Sequence, residues 1–176
     1  MTYEVFGPFN LPAKVTTGSR ARRDEARVFR SDADEVRAGL SGGHGCYVLS
    51  TLCRGRCLPW YIGMTQARPF SEACFAITAV RHYEAVAQDN PQANLHLTLV
   101  TRVGQEGGRD SEALLHRGDL RLLRDYLIAL ALNRNPALRN DGSRRHRQLA
   151  TAVSVVQLPP RPGLAFRSFQ DIFGLR

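Results

Sequence analysis

Lysine, long apolar runs and paired metal ligands are what this sequence has least of. Of its 24 basic residues only Lys14 is lysine, and the other 23 are arginine. Arginine codons are GC-rich and lysine codons AT-rich, so a GC-rich genome would produce that bias without selection for binding. The overall balance, a formal net charge of +8 with a pI near 10.0, also fits selection for a polyanionic partner, nucleic acid before membrane. Charge alone leaves both readings open. No run approaches the ~18 apolar residues of a membrane span. Met1-Thr2-Tyr3-Glu4-Val5 lacks a basic and then an apolar region, so no secretory signal is expected. Cys46, Cys53, Cys57 and Cys74 suit a reduced, cytoplasmic protein. Cys53-x3-Cys57 has no second Cys or His pair at zinc-ligand spacing, which argues against a zinc site. Internal repeats and low-complexity tracts are also missing.

At 176 residues the chain is long enough for one domain with a real core. Residues 1–18 read as an extended arm punctuated by Gly7-Pro8 and Leu11-Pro12. Arg20 to Leu40 is compatible with a helix, its apolar positions being Val28, Phe29, Val36 and Leu40. Ser41–Gly45 ends it, with His44 as turn material. Two strand-like runs follow, Gly45–Leu52 and Trp60–Thr65, separated by a turn-like stretch from Cys53 to Pro59. This predicts a β-hairpin that sets Tyr47 and Tyr61 side by side.

Pro69 can open a helix running to about Gln88, with Phe70, Cys74, Ile77 and Arg81 at helical spacing. Glu72 in its first turn suits the helix dipole. Leu95–Thr101 alternates and predicts a strand with one buried face. Gly104–Ser111 reads as a glycine-rich loop. Asp119 would cap a helix from Leu120 to about Asn133, whose stripe is Leu120, Leu123, Leu127 and Leu130. Asn135-Pro136 closes it. Asn140–Arg147 is polar and arginine-dense; Thr151–Leu158 reads as a strand and Leu164–Phe173 as a helix. The order predicts an α+β fold with a small sheet flanked by helices.

Gly45-Cys46-Tyr47 and Tyr61-Ile62-Gly63, in this hairpin context, resemble the GIY-YIG endonuclease superfamily. The helix, strand and helix that follow come in that family's order, closing on Asn135-Pro136-Ala137-Leu138-Arg139-Asn140. Phe70, Cys74 and Phe75 are similar to a divergent bacterial branch. The resemblance covers about 45–140. Residues 1–44 are then an N-terminal arm and helix packed on that domain. Residues 141–176 are a basic segment, strand and C-terminal helix, the whole forming one globular unit.

The resemblance implies a nuclease that hydrolyses phosphodiester bonds of DNA, or less expectedly RNA, with paired tyrosines and one Mg2+ or Mn2+ ion. Tyr47 and Tyr61 would be the tyrosines. Gly63 would let backbone approach the site, and Asn140 would order its far side. Arg81 and His82 are catalytic candidates. Arg68, Arg139, Asn140, Arg144, Arg145 and Arg147 are candidates for nucleic-acid contact. The family's metal-binding glutamate should precede a Leu-Ile pair such as Leu127-Ile128. Its position is best matched by Arg124. Asp125 is the sole carboxylate between Leu120 and Asn140 and so the candidate metal ligand. A one-residue shift turns a helical side chain by about 100°. An ion pair with Arg121, four residues earlier, explains Asp125 equally well. A cation at the glutamate position would repel the metal and leave a nucleic-acid-binding protein without catalysis. A third reading makes the tyrosines structural in an interaction protein.

Overall fold

The computed structural model describes residues 3–12, 18–53, 55–65, 67–102, 117–140 and 163–175. They form an α+β fold: a four-stranded, wholly antiparallel sheet of strand order β1-β4-β2-β3, with helices on both faces. The strands are β1 (Tyr3–Asn10), β2 (Gly45–Cys53), β3 (Arg56–Met64) and β4 (Asn94–Arg102). The helices are α1 (Ser19–Val36), α2 (Phe70–Ala73), α3 (Ile77–Asp89), α4 (Arg117–Arg134) and α5 (Leu164–Phe173). A 3-10 turn at Leu40–Gly42 leads into β2. No helix among the described residues is long and apolar enough to cross a membrane.

The predicted arm is in part a strand. β1 pairs with β4, and its register shifts between Phe6 and Phe9. Pro8 lies inside that irregularity. Proline has no N–H for a ladder and survives in strands at edges and bulges, which is why Gly7-Pro8 disguised the strand. α1 buries Phe29 and Ala33, whereas Val28 and Val36, each 58% exposed, are not core positions. At its end, Asp34 accepts hydrogen bonds from the Ser41 N–H and hydroxyl at 2.9 and 2.8 Å and fixes the turn into β2. His44 is buried there rather than exposed in a turn, and its carbonyl accepts from the Thr101 hydroxyl.

The hairpin strands are longer than predicted. Cys53 pairs with Arg56, so two residues, Arg54 and Gly55, connect them. Gly55 takes φ +75°, a backbone that favours glycine and suits a two-residue hairpin loop. The stretch from Arg56 to Pro59 is therefore strand, not turn. By the alternation of the pleat, Cys53 and Cys57 point to opposite faces, so they cannot share one ion.

The helix expected from Pro69 to Gln88 is broken at Cys74–Ala76. Cys74 and Phe75 in the break are both buried, with Phe75 packed 5.3 Å from Phe29, ring centre to ring centre. Ile77 and Arg81 are consequently exposed, and the buried stripe of α3 is Ala79, Val80, Tyr83 and Val86. β4 is buried on both faces, not one: Leu95, Leu97 and Leu99 face α1–α3, while Thr98 and Val100 face the other side. α4 starts at Arg117, which puts Asp119 inside its first turn rather than at the cap. Its predicted leucine stripe is buried, and α5 has the predicted bounds. Gly104–Ser111, Thr151–Leu158 and Arg144, Arg145 and Arg147 lie outside the described residues.

Candidate functional site

The hairpin does not set the tyrosines directly opposite one another. Tyr47 pairs with Gly63 and Tyr61 with Leu49, so the two are diagonal neighbours on the face toward α1–α3, ring centres 6.2 Å apart. Tyr47 is 4% exposed, and its hydroxyl donates to the Ala73 carbonyl of α2 at 3.2 Å. Burial raises its pKa well above that of an ordinary phenol, with Cys74 and the Tyr61 hydroxyl adding to the effect. A phenol so placed is a tether between β2 and α2, not a base.

Gly63 exists for Tyr47. A Cβ built on it would lie 2.0 Å from Tyr47 Cζ and 2.3 Å from its hydroxyl. The missing side chain makes room for a ring rather than for approaching backbone, which corrects the role expected of it.

Tyr61 is the accessible member of the pair. It is half-buried and stacks on His82 of α3, ring centres 4.2 Å apart and planes within 18°. A face-to-face stack fixes the plane of the phenol ring and leaves the hydroxyl at its rim. Behind both tyrosines lies Tyr83, fully buried, whose hydroxyl has no hydrogen-bond partner. Burial raises its pKa as well, helped by Tyr47, Cys74 and Tyr61, so these groups form one cluster. Sequence reasoning missed Tyr83. Its place in the stripe with Ala79, Val80 and Val86 was the available signal.

The segment after α4 seals the outer edge of β3. The Asn140 amide acts as a surrogate strand: Ile62 N–H donates to its Oδ1 and its Nδ2 donates to the Ile62 carbonyl, both at 2.8 Å. The Arg139 N–H donates to the Trp60 carbonyl, and Asn135 Nδ2 donates to the Pro59 carbonyl at 2.7 Å. An exposed strand edge invites further pairing, and here it is closed. Asn140, 5% exposed and committed to Ile62, orders the middle of the Tyr61-Ile62-Gly63 string instead of offering itself to nucleic acid. Arg139 forms an ion pair with Asp89 at the end of α3. Arg68 and Arg81 are exposed.

α4 lies across the opposite face. Leu123, Leu127 and Ile128 pack with Cys46, Val48, Ile62 and Val100. Burial pushes the Cys46 thiol up to about 12; Arg124 counters that rise and Asp125 adds to it. The α4 charge that also acts on Tyr47 is Arg124, which lowers its pKa slightly against the effect of burial. Both charges belong to the helix that packs on the sheet face opposite the tyrosines. Among the described residues no three His, Cys, Asp or Glu side chains come together to hold a metal. Asp125, the carboxylate expected to hold the metal, is half-buried on α4.

Compared with protein-family models, curated proteins and solved structures, the chain matches none.

Proposed function

We propose that this chain is a divergent nuclease of the GIY-YIG type, acting on DNA or RNA through the tyrosine face of its hairpin. One observation carries the reading: Tyr61, half-buried, is held between Tyr47 and the stacked His82 in a chain of net charge +8. A phenol oxygen held in a fixed plane accepts a hydrogen bond from an attacking water and orients it toward phosphorus. Arg81, exposed and one residue from His82, offers guanidinium donors to the phosphate. His82 positions the ring, and Tyr47 anchors the strand behind it. None of these roles uses the Mg2+ or Mn2+ ion that the resemblance implies.

A second reading, a nucleic-acid-binding protein without catalysis on the same scaffold, is favoured by Arg124. Its charge acts on Tyr47 and would disfavour a nearby divalent cation.

The two separate in one experiment. The purified protein is incubated with supercoiled plasmid and with single-stranded RNA, in Mg2+ or Mn2+ against chelator, beside Tyr61→Phe. A nuclease cleaves, and the variant loses roughly 100-fold or more of the rate while keeping its binding. Salt-sensitive binding without cleavage supports the second reading. Equal cleavage by the variant rejects the role given to Tyr61.

A further inference from the structure

α1 carries a row of exposed arginines that lies outside the hairpin site. Arg20, Arg23, Arg27 and Arg30 follow one another at three- and four-residue spacing and are all exposed. At about 100° per residue they fall within roughly 80° of the helix circumference, and from Arg20 to Arg30 they extend about 15 Å. The inward side of α1 holds Phe29 and Ala33, packed in the same core as Tyr47 and, at its margin, Tyr61. α1 itself packs against α2 and against β1, the sheet edge opposite the β3 strand of Tyr61.

The helix dipole does not explain the row. Cations are favoured near a helix C-terminus and anions near its N-terminus. α1 has no acid in its first turn and no base in its last, and its acids Asp32, Asp34 and Glu35 gather toward the C-terminal end. Residues 20–30 hold five arginines against Asp24 and Glu25, a net charge of +3. The helix dipole adds to that positive field instead of offsetting it. Arg22, the fifth, turns inward and donates to the Phe75 carbonyl at 3.4 Å, so it is separate from the row.

We infer that Arg20, Arg23, Arg27 and Arg30 form a phosphate-contact track for a nucleic-acid backbone, set outside the 45–140 segment that carries the nuclease resemblance. The inference rests on the reading of the chain as a nucleic-acid protein, but not on its being catalytic. A length of ~15 Å spans about four base-pair steps of a duplex. Each phosphate contact on B-DNA contributes about −0.9 to the slope of log K against log salt.

The test is fluorescence anisotropy with a labelled 20-base-pair DNA duplex at several salt concentrations. The full chain is compared with R20Q/R23Q/R27Q/R30Q, with the same four positions as lysine, and with R144Q/R145Q/R147Q. The glutamine variant should bind at least ~10-fold more weakly at 0.1 M salt, with a slope smaller in magnitude by about 2–4. The lysine variant should recover most of the slope, and thermal melting should be unchanged in both. R20Q/R30Q, a milder change, should lose about half as much and serves if the fourfold variant melts early. An unchanged slope in the glutamine variants, or a loss confined to R144Q/R145Q/R147Q, overturns the track. No salt-sensitive binding by the native chain overturns both the track and the nucleic-acid reading. Binding that follows the expected pattern without any cleavage leaves the track standing and removes the nuclease.

Discussion

On the face covered by α4 and α5, the sheet presents Cys46, Val48, Ile62 and Val100 to leucine, isoleucine and phenylalanine side chains. On the face covered by α1, α2 and α3 it presents Leu49, Leu97 and Leu99 together with Tyr47 and Tyr61. The second face contains a hydroxyl tied to a helix carbonyl, an aromatic stack and a buried hydroxyl with no partner. An apolar face tolerates repacking if volume is conserved, whereas a face with tyrosine hydroxyls must satisfy direction as well as volume. The helix-covered apolar face therefore acts as the foundation. The tyrosine face carries the polar groups from which a site is made.

The strongest way to break this contrast is Gly63→Ala. The new methyl would meet the Tyr47 ring at 2.0 Å inside a packed face, and a loss of about 3 kcal/mol in urea unfolding is expected. If the ring is the cause, Tyr47→Ala combined with Gly63→Ala should cost clearly less than the two separate losses added together. Additive losses would refute the ring contact as the reason for the glycine.

Asn140→Ala tests how the shared edge of both faces is held. It leaves the Ile62 N–H and carbonyl without partners, at an expected cost of about 2 kcal/mol. Hydrogen exchange at Ile62 should accelerate in step. Unchanged protection there would mean that the surrogate strand is dispensable.

The smallest effect sharpens the comparison most. Among the described residues, each face has one fully buried hydroxyl without a partner, Tyr83 on the tyrosine face and Thr98 on the other. Removing such a group relieves a desolvation cost, so Tyr83→Phe and Thr98→Val should each be neutral or stabilising by up to about 1 kcal/mol. A loss above that for Tyr83→Phe alone would reveal that its hydroxyl supports Tyr47 and Tyr61.

Much of the fold was legible along the chain. The hairpin, the β4 alternation and the α4 leucine stripe are periodic signals, and α5 was introduced by Pro159-Pro160-Arg161-Pro162-Gly163. β1 was hidden because Pro8 spoils the strand signal while an edge position tolerates it. The break after α2 was hidden because local spacing continued through it. Cys74 and Phe75, both buried, lie where the helix is interrupted. For the site, the two tyrosines, Gly63, His82 and Asn140 could be picked out by type and position. What each one touches could not.

The sequence by itself determined the hairpin, β4, α4 and α5, and that two tyrosines would share one face of a hairpin, because pleat and helix periodicity are local properties of the backbone. Tertiary structure alone decided that Tyr47 is tethered and Tyr61 accessible, and that Gly63 houses a ring. It also decided that Asn140 stands in for a strand. Those outcomes depend on burial and on contacts between residues far apart in the chain. They follow from how α2, α3 and α4 close over the two faces, which no local pattern encodes.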